Sequence, residues 1–366
     1  MSSLFVSSAG FELPRDGTAV GNWQGIIFYE EIFTQATPNF QNIRLKYTTE
    51  RKRSIHCKGI EVMKHIKGHL FSFLYAVLLI GFTIYILLDA FVIQRRYVIV
   101  EDTESSSSSS AADESSSAAA SNAATITENR YQDEHIQIVL TQYREWDTDI
   151  YVADITLSSA DYLKTAFADN AYGKNITQKT SEIAQAHQAV LAINGDYYSA
   201  RSGYVLRNGT LYRDSSANSA QQDLVIGAND EFSIITEGTV SASALAAQGV
   251  RQILSFGPAL VENSCVAVSE NTEVDKAMRS NPRTAIASMG ELHYLMVVSD
   301  GRTAKSEGIS LYQLAEFLQR LGAQTAYNLD GGGSSTMYFN GQIINNPTTN
   351  GKQISERRVS DIVYIG

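Results

Sequence analysis

The sequence predicts an α+β domain with a mixed, largely antiparallel sheet and a few packed helices, preceded by a single transmembrane helix near the N-terminus. Short apolar runs of strand length outnumber amphipathic stretches of helix length, Asn-Gly pairs mark two hairpins, and one long apolar run stands apart from the rest. With 366 residues, 44% of them apolar, the chain is long enough for one or two globular units.

The first part of the chain, residues 1–62, shows no clear periodicity and is left unassigned. At Met63-Lys64-His65-Ile66-Lys67 a short basic stretch precedes a long apolar run, which is typical of the start of an anchored protein. We therefore expect Met63 to be the true initiator and residues 1–62 to be an upstream extension. N-terminal sequencing of the native protein tests this, since a peptide from before Met63 would contradict it.

The apolar run from Leu70 to Ile93 is long enough to cross a hydrocarbon core of roughly 30 Å as a helix. Basic residues cluster before it and acidic residues follow it, which places the N-terminus in the cytoplasm and the chain beyond residue 98 outside. Segment 63–98 is thus predicted to be a basic stretch and a single-pass anchor in the cell membrane, with membrane contact at residues 70–93.

Residues 99–129 are rich in Ser, Ala and acidic residues, a composition that cannot bury enough apolar surface to fold. We interpret them as a flexible spacer that holds an extracellular domain, residues 130–366, away from the membrane. The net charge of −10 offers no broad basic surface, so a nucleic-acid partner is not expected.

Within residues 130–366 the predicted elements follow in order. The predicted strands and hairpins, bounded by turn residues, are 137–140, 150–157, 189–193, 204–213 around Asn208-Gly209, 292–298, and 336–345 around Asn340-Gly341. A helix is predicted over residues 180–188. The clearest helix is Leu311–Leu321, because Ser310 and Gln313 form a capping box and Gly322 follows the last turn.

The strongest candidate for a functional site is the run Asn328-Leu329-Asp330-Gly331-Gly332-Gly333-Ser334-Ser335. A carboxylate stands before three glycines and two hydroxyls stand after them. Such a turn lets a ligand approach the main chain, and its successive N–H groups can form an anion-binding nest. The alternative interpretation is a tight hairpin whose Asp and Ser residues cap their own turn.

Three further polar clusters follow or open predicted strands, and loops at strand ends often converge on one cleft. The first is Asn194-Gly195-Asp196, followed by two tyrosines. The second is Asn281-Pro282-Arg283, and the third is Asp300-Gly301-Arg302, with Glu307 close behind. Each could be an ordinary turn or solvated edge. Inside a cleft, an arginine would clamp a phosphodiester and the carboxylates would handle protons or sugar hydroxyls.

The sequence lacks the motifs of several other enzyme classes. No His, Cys or Asp grouping has zinc-ligand spacing, and neither a Gly-x-Ser-x-Gly elbow nor a Walker loop occurs. Neither a cofactor nor a structural metal is predicted. Carboxylates beside aromatic residues favour glycoside cleavage, and carboxylates beside arginines favour an anionic ester. Both fit a sugar linked through phosphate.

Seven motifs, in their order along the chain, resemble the phosphodiester glycosidase family. The motifs are Asn194-Gly195-Asp196, Phe256-Gly257-Pro258, Arg283-Thr284-Ala285, Asp300-Gly301-Arg302, Gly308-Ile309-Ser310-Leu311, 328–335 and Arg358-Val359-Ser360. The resemblance is good over residues 180–366 and weak over 130–180. It implies a hydrolase that cleaves the bond between an anomeric carbon and a phosphodiester oxygen, with N-acetylglucosamine or a related surface sugar as substrate.

From these residue types we expect Asp330 to act as nucleophile or base, with Asp196 or Glu307 as the second carboxylate. The substrate-binding residues are then Asn194, Gly195, Arg283, Asp300, Arg302, Asn328, Gly331, Gly332, Gly333, Ser334 and Ser335. Two alternatives stay open. One is a non-catalytic carbohydrate-binding or envelope module on the same fold. The other is a metal-dependent phosphodiesterase with a divalent ion held by Asp196, Asp300 and Asp330.

Overall fold

The computed structural model describes residues 70–100, 124–229, 231–274 and 280–366. The predicted extension 1–62 and most of the predicted spacer lie outside these residues. The chain divides into two compact units, Met1–Val77 and Leu78–Gly366, and the first contributes only the start of one helix to the described part. That helix, α1 (Leu70–Phe91), includes a candidate membrane span, Ser72–Phe91, by its length and composition.

Helices are few beyond α1 in the described residues: α2 is Thr180–Ala186, α3 is Ala242–Ala247 and α4 is Leu311–Arg320. The strands, in chain order, are β1 Arg95–Ile99, β2 Thr125–Thr127, β3 Arg130–Gln132, β4 Ile136–Glu145, β5 Thr148–Leu157, β6 Leu163–Phe167, β7 Ala171–Lys174, β8 Gln178–Lys179, β9 Leu191–Asn194, β10 Val205–Arg207, β11 Thr210–Arg213, β12 Gln222–Ile226, β13 Phe232–Thr236, β14 Gln252–Leu254, β15 Ala259–Glu262, β16 Cys265–Val266, β17 Arg283–Gly290, β18 His293–Ser299, β19 Thr325–Asn328, β20 Met337–Phe339, β21 Gln342–Ile343, β22 Arg358–Val359 and β23 Asp361–Ile365.

Three sheets form the body of the domain. A nine-stranded sheet has the order β16-β15-β19-β17-β18-β5-β4-β3-β2, and two five-stranded sheets have the orders β11-β10-β14-β12-β13 and β21-β20-β9-β23-β6. Two small ladders, β1-β7 and β22-β8, complete the pairing among the described residues. Every ladder between these strands is antiparallel, so the predicted, largely antiparallel α+β arrangement is confirmed for the described residues.

The main core lies where the inner faces of the three sheets meet. It joins Ile155 and Met296 of the nine-stranded sheet to Ile193 of one five-stranded sheet and Leu254 of the other. On its other face the nine-stranded sheet is covered by α4, whose side chains Leu314, Phe317 and Leu318 are fully buried. Burial of such side chains contributes about 1.5–3 kcal/mol each.

Local sequence signals placed several elements well. Ser310 accepts a hydrogen bond from the Gln313 amide and Gln313 caps the Ser310 amide, so α4 begins at the predicted capping box. At the first hairpin Asn208 and Gly209 both have positive φ, as a type I′ turn requires. The helix predicted over 180–188 is shorter, Thr180–Ala186, because Gln188 adopts a positive φ that ends it.

Candidate active site

The candidate site lies at one edge of the nine-stranded sheet. Strands β18 and β19 end there and the antiparallel strand β17 begins there, so Arg283, Arg302 and Asp330 come together from three places in the chain. Strand β9 of a second sheet ends beside them at Asn194, whose side-chain amide donates to the Asp330 carbonyl oxygen at 2.5 Å. A cavity of about 540 Å³ opens between these elements.

Asp330 is the only carboxylate among the described residues that line this cleft. Its carboxylate is almost buried and accepts a hydrogen bond from Arg357 at 3.2 Å. Burial raises the pKa of Asp330, and the neighbouring Arg357 guanidinium opposes that shift. Asp330 is thus a carboxylate that is more basic than usual and held in place by a cation.

Arginines supply the rest of the charge in the cleft. Its lining includes Arg201, Arg283, Arg302 and Arg357. Arg357 also binds the Ser334 hydroxyl oxygen at 2.9 and 2.6 Å. Burial, and then repulsion from Arg357, lowers the pKa of Arg302. Like charges held this close are stabilised by an anion between them, so the cleft is suited to a negatively charged ligand.

Two of these arginines are oriented by the protein. Arg302 donates to the Asn281 side-chain oxygen at 3.0 Å and to the Thr349 carbonyl oxygen at 2.6 Å. Arg283 donates to the Ile309 carbonyl oxygen at 3.0 Å and lies 3.4 Å from a Glu273 carboxylate oxygen. Arg283 is almost fully buried, and that burial lowers its pKa. It therefore forms the floor of the site.

The glycine loop differs from the predicted anion nest. The amides of Gly332, Ser334 and Ser335 donate to the carbonyl oxygens of Pro282, Gly331 and Gly332. Those N–H groups are used within the protein, because the loop closes as a short 3-10 turn at Gly332–Ser334. Glycine is favoured at position 332, where φ is 63° and a Cβ would lie 2.7 Å from Arg302 Nη2. The loop thus makes room for Arg302.

The structure brings six of the residues predicted for the site into the lining of the cleft: Arg283, Arg302, Asn328, Asp330, Gly331 and Gly332. It places the other predicted residues behind or beside the cleft. Asn194 is buried, where its oxygen accepts from Thr284 and the Thr336 amide, so it joins two sheets. Gly195 donates its amide to the Asp361 carbonyl oxygen.

Asp196, predicted as a second carboxylate, is fully buried away from the lining. It accepts from Arg207 Nη2 at 2.8 Å and from the Ser255 amide at 2.7 Å. Arg207 also contacts Asp361 at 3.0 Å, so these three residues form a buried ionic cluster. A carboxylate committed to such a cluster lacks access to a substrate, so Asp196 is not assigned to the reaction.

Glu307 and Asp300 also lie outside the lining. Glu307 is exposed, and its backbone groups bind Asp147 and Arg302. Asp300 is buried and accepts from the Asn346 amide and side chain at 2.8 Å. Gly333, Ser334 and Ser335 are buried in the turn beneath the cleft. The Ser334 hydroxyl is linked to the cleft only through Arg357, from which it accepts hydrogen bonds.

Sequence reasoning missed Arg357, Arg201 and the polar wall of the cleft. That wall comprises Ser202, Asn218 and Gln221, and beside it lies Tyr197, one of the two tyrosines that follow the Asn194-Gly195-Asp196 cluster in the sequence. The Arg201 guanidinium lies 4.3 Å from the centre of the Phe256 ring, a cation–π contact. Arg357 directly precedes the Arg358-Val359-Ser360 motif, and this position is its one local indication in the sequence.

The ligand set of the predicted metal-dependent alternative is not assembled. Asp196 binds Arg207, Asp300 binds Asn346 and Asp330 binds Arg357, each through its own carboxylate. Across residues 70–100, 124–229, 231–274 and 280–366 no group of three His, Cys, Asp or Glu side chains is arranged to hold a metal ion.

A second depression of about 570 Å³ offers a contrast. Its described lining contains two acids, Glu231 and Glu291, and no arginine or lysine. Negative charge there would repel an anionic ligand, so the arginine-rich cleft is the better candidate for such a ligand.

Fold and cleft together define an antiparallel α+β domain whose candidate site is an arginine-lined cleft around one buried carboxylate. Residues 187–366 match the family model for phosphodiester glycosidases. Residues 187–366 thus match a phosphodiester glycosidase domain, and the resemblance seen in the sequence is confirmed.

Individual relatives agree with the family match. Human N-acetylglucosamine-1-phosphodiester alpha-N-acetylglucosaminidase is 30% identical over 186 residues, which is 46% of this chain and 35% of the relative. The SPbeta prophage-derived uncharacterized protein YomE of Bacillus subtilis is 27% identical over 192 residues, 51% of this chain and 30% of the relative. The chain thus spans only about a third of the length of these relatives.

A solved structure shares the fold. The catalytic domain of the zebrafish N-acetylglucosamine-1-phosphodiester alpha-N-acetylglucosaminidase, auto-inhibited by pro-peptide, superposes with a TM-score of 0.50 at 20% identity. The match covers 63% of this chain and 82% of the zebrafish chain.

Proposed function

We propose that this chain hydrolyses a sugar-1-phosphodiester of the N-acetylglucosamine type, with Asp330 as the catalytic carboxylate. The observation that carries the proposal is the composition of the cleft, one buried carboxylate among four arginines. The family match and the human relative, whose name describes an enzyme acting on an N-acetylglucosamine phosphodiester, support the substrate class.

The reaction needs little general-acid help. A phosphodiester leaves as a stable anion, so a proton donor to the leaving oxygen is less necessary than in ordinary glycosides. The main requirement is to neutralise the departing phosphate, for which Arg302 and Arg357 are placed in the cleft beside Asp330. The single carboxylate in the described lining fits this division of tasks.

Asp330 acts on the sugar side of the bond, as nucleophile at the anomeric carbon or as base toward water. Burial makes this carboxylate more basic, which favours proton abstraction, while Arg357 keeps it oriented. Tyr197, about a third of whose surface is exposed, presents a ring at the cleft on which a sugar could stack. Asn218 and Gln221 provide partners for sugar hydroxyls.

The location completes the proposal. The helix Leu70–Phe91 serves as a single-pass anchor, with the N-terminus in the cytoplasm and the folded domain outside the cell. Its apolar side chains are exposed along its described length, as lipid contact requires. The substrate is then a glycan phosphodiester of the cell surface.

The test uses the full chain in detergent micelles with an N-acetylglucosamine 1-phosphodiester, and free sugar is measured. The wild type should release sugar, and Asp330→Asn should be slower by several powers of ten, on the order of 10³-fold or more. Glu307→Gln is the matched control, because this acid lies outside the cleft lining and its loss should leave the rate unchanged.

Full activity in Asp330→Asn would refute the assignment of the catalytic carboxylate. Absence of release by the wild type, together with glycan binding that Asp330→Asn leaves intact, would favour the carbohydrate-binding module. Loss of activity on addition of a chelator would favour the metal-dependent phosphodiesterase.

A further inference from the structure

We propose that strand β1 docks the folded domain directly on the end of the candidate membrane span, so that the cleft works on substrate held at the membrane surface. The domain is then held at the membrane, and not away from it as the composition of residues 99–129 predicts. The substrate part of this inference rests on the proposed function, and the docking part does not.

The end of α1 is bound by residues of the domain. Asn175 donates its side-chain amide to the carbonyl oxygens of Asp89, at 3.3 Å, and Ile93, at 3.0 Å. It thereby satisfies carbonyl groups that a helix end otherwise leaves without partners. The Asp89 carboxylate in turn contacts Arg95 and lies 4.0 Å from Lys174 Nζ. Several polar contacts therefore fix the helix end to the β7 region.

Strand β1 begins only three residues, 92–94, after the helix ends. It pairs antiparallel with β7, with Arg95 opposite Lys174 and Ile99 opposite Ala171. Gly173 is required for this pairing, because a Cβ there would lie 2.0 Å from the Arg95 carbonyl oxygen. Such a short connection leaves little freedom between the span and the domain.

The surface of β1 suits the interfacial layer of a membrane. Tyr97, Val98 and Ile99 are exposed, and Arg95 and Arg96 keep about half of their side-chain surface accessible. Tyrosine and arginine beside the end of a membrane span are typical of the headgroup region, where the ring is partly buried and the cation meets lipid phosphate.

The cleft is close to this tether through an aromatic stack. The Tyr97 ring lies 6.0 Å from the Tyr172 ring, and Tyr172 stacks on Tyr198 with ring centres 5.2 Å apart. The residue before Tyr198 is Tyr197, which lines the cleft. A sugar phosphodiester bound there lies next to the part of the domain that the helix holds at the bilayer. A lipid-linked glycan phosphodiester is the substrate class that this placement favours.

The docking is tested in the full chain, reconstituted in vesicles, with Cys57→Ser and Cys265→Ser as background. The variant Arg95→Cys/Lys174→Cys places two thiols at directly opposed strand positions, within the reach of a disulfide. A protease site is inserted within residues 104–121. After cleavage the domain should remain with the vesicles, and in denaturing gels it should run joined to the anchor fragment until the disulfide is reduced. Each single cysteine variant is the matched control and should not be retained covalently.

A second pair keeps the test decisive if the first variant does not fold. Ile99→Cys/Ala171→Cys lies at the other end of the same ladder and should give the same result. If neither cysteine pair forms a disulfide in the presence of oxidant and the folded domain is released, the docking is wrong and the spacer interpretation stands.

The substrate class is tested with one sugar phosphodiester presented in two forms, lipid-linked in the vesicles and free in solution. The full chain should hydrolyse the lipid-linked form at least about tenfold faster, because tethering raises the effective concentration. Deleting residues 104–121 should leave that preference unchanged. Equal rates on both forms would overturn the substrate part. Hydrolysis of neither form would count against the proposed function, while the disulfide result decides the docking independently.

Discussion

Replacing Asp223 with asparagine should stabilise the folded domain, and the gain should grow with pH. Asp223 lies on β12 with no exposed surface, and within the described residues no guanidinium or ammonium group is among the influences on its carboxylate. Burial, followed by the negative charge of Glu237, raises the pKa of Asp223 to about 9. The folded protein therefore holds a proton at this position at neutral pH.

The direction of the pH dependence follows from the linkage between proton binding and folding. In the unfolded chain Asp223 ionises near its ordinary pKa of about 3.9, so the unfolded state binds fewer protons than the folded state above that pH. The free energy of unfolding then falls as pH rises from about 4 to about 9. Each pH unit costs about 1.4 kcal/mol, and pH 7 lies about three pH units above the ordinary pKa, so the cost approaches about 4 kcal/mol.

Asparagine fills the same volume and cannot ionise, so Asp223→Asn removes this cost. The assay is urea unfolding of the full chain in detergent between pH 5 and pH 8, followed by fluorescence. The difference in free energy of unfolding from wild type should rise by several kcal/mol across that range. Asp147→Asn, at a carboxylate whose side chain is 90% exposed, should show no such trend. A difference that does not change with pH would refute the assignment of a buried proton to Asp223.

Two further predictions concern the cleft. In Gly332→Ala the new Cβ would crowd Arg302 Nη2, so the rate of sugar release should fall. The control is Gly341→Ala, a position with positive φ and open space around it, whose rate should stay well above that of Gly332→Ala. Equal rates in the two variants would contradict the crowding. Arg357→Ala removes a donor to Asp330, which should cost about 10²–10³-fold in kcat/KM. Because Arg357 lowers the pKa of Asp330, its loss should also move the acidic limb of the pH–rate profile to higher pH, and an unmoved limb would argue against their coupling.

The parts of the fold that were predictable depend on local rules. The Asn-Gly turn at 208–209 needs positive φ, and the capping box at Ser310 satisfies the first amides of α4, so both signals act over a few residues. The order of strands in the sheets does not depend on local rules. Pairing β19 with both β15 and β17 joins segments far apart in sequence, and no local pattern determines that choice.

Some residues of the candidate site could likewise be predicted from local sequence, whereas others depend on packing between distant segments. Asp330 could be singled out because a carboxylate beside three glycines is unusual in sequence. Asp196 looked equally suitable, yet Arg207 and Asp361 meet it only through the packing of two sheets. A carboxylate becomes structural or reactive through its neighbours in space. Arg357, twenty-seven residues beyond Asp330, carried almost no local signal for the same reason.

The spatial separation of these charges bears on the reaction. The buried cluster of Asp196, Arg207 and Asp361 lies outside the cleft lining and sets two carboxylates against one guanidinium, so it adds no positive charge to the cleft. The described lining of the cleft holds four arginines and one carboxylate, and Glu273 pairs with Arg283 from outside the lining, so an excess of positive charge remains that suits an anion. A phosphodiester brings a negative charge to Arg302 and Arg357 and carries it away with the leaving group, whereas a neutral glycoside brings none. In the proposed reaction the same charges would therefore both favour an anionic substrate and lower the barrier to departure of its phosphate.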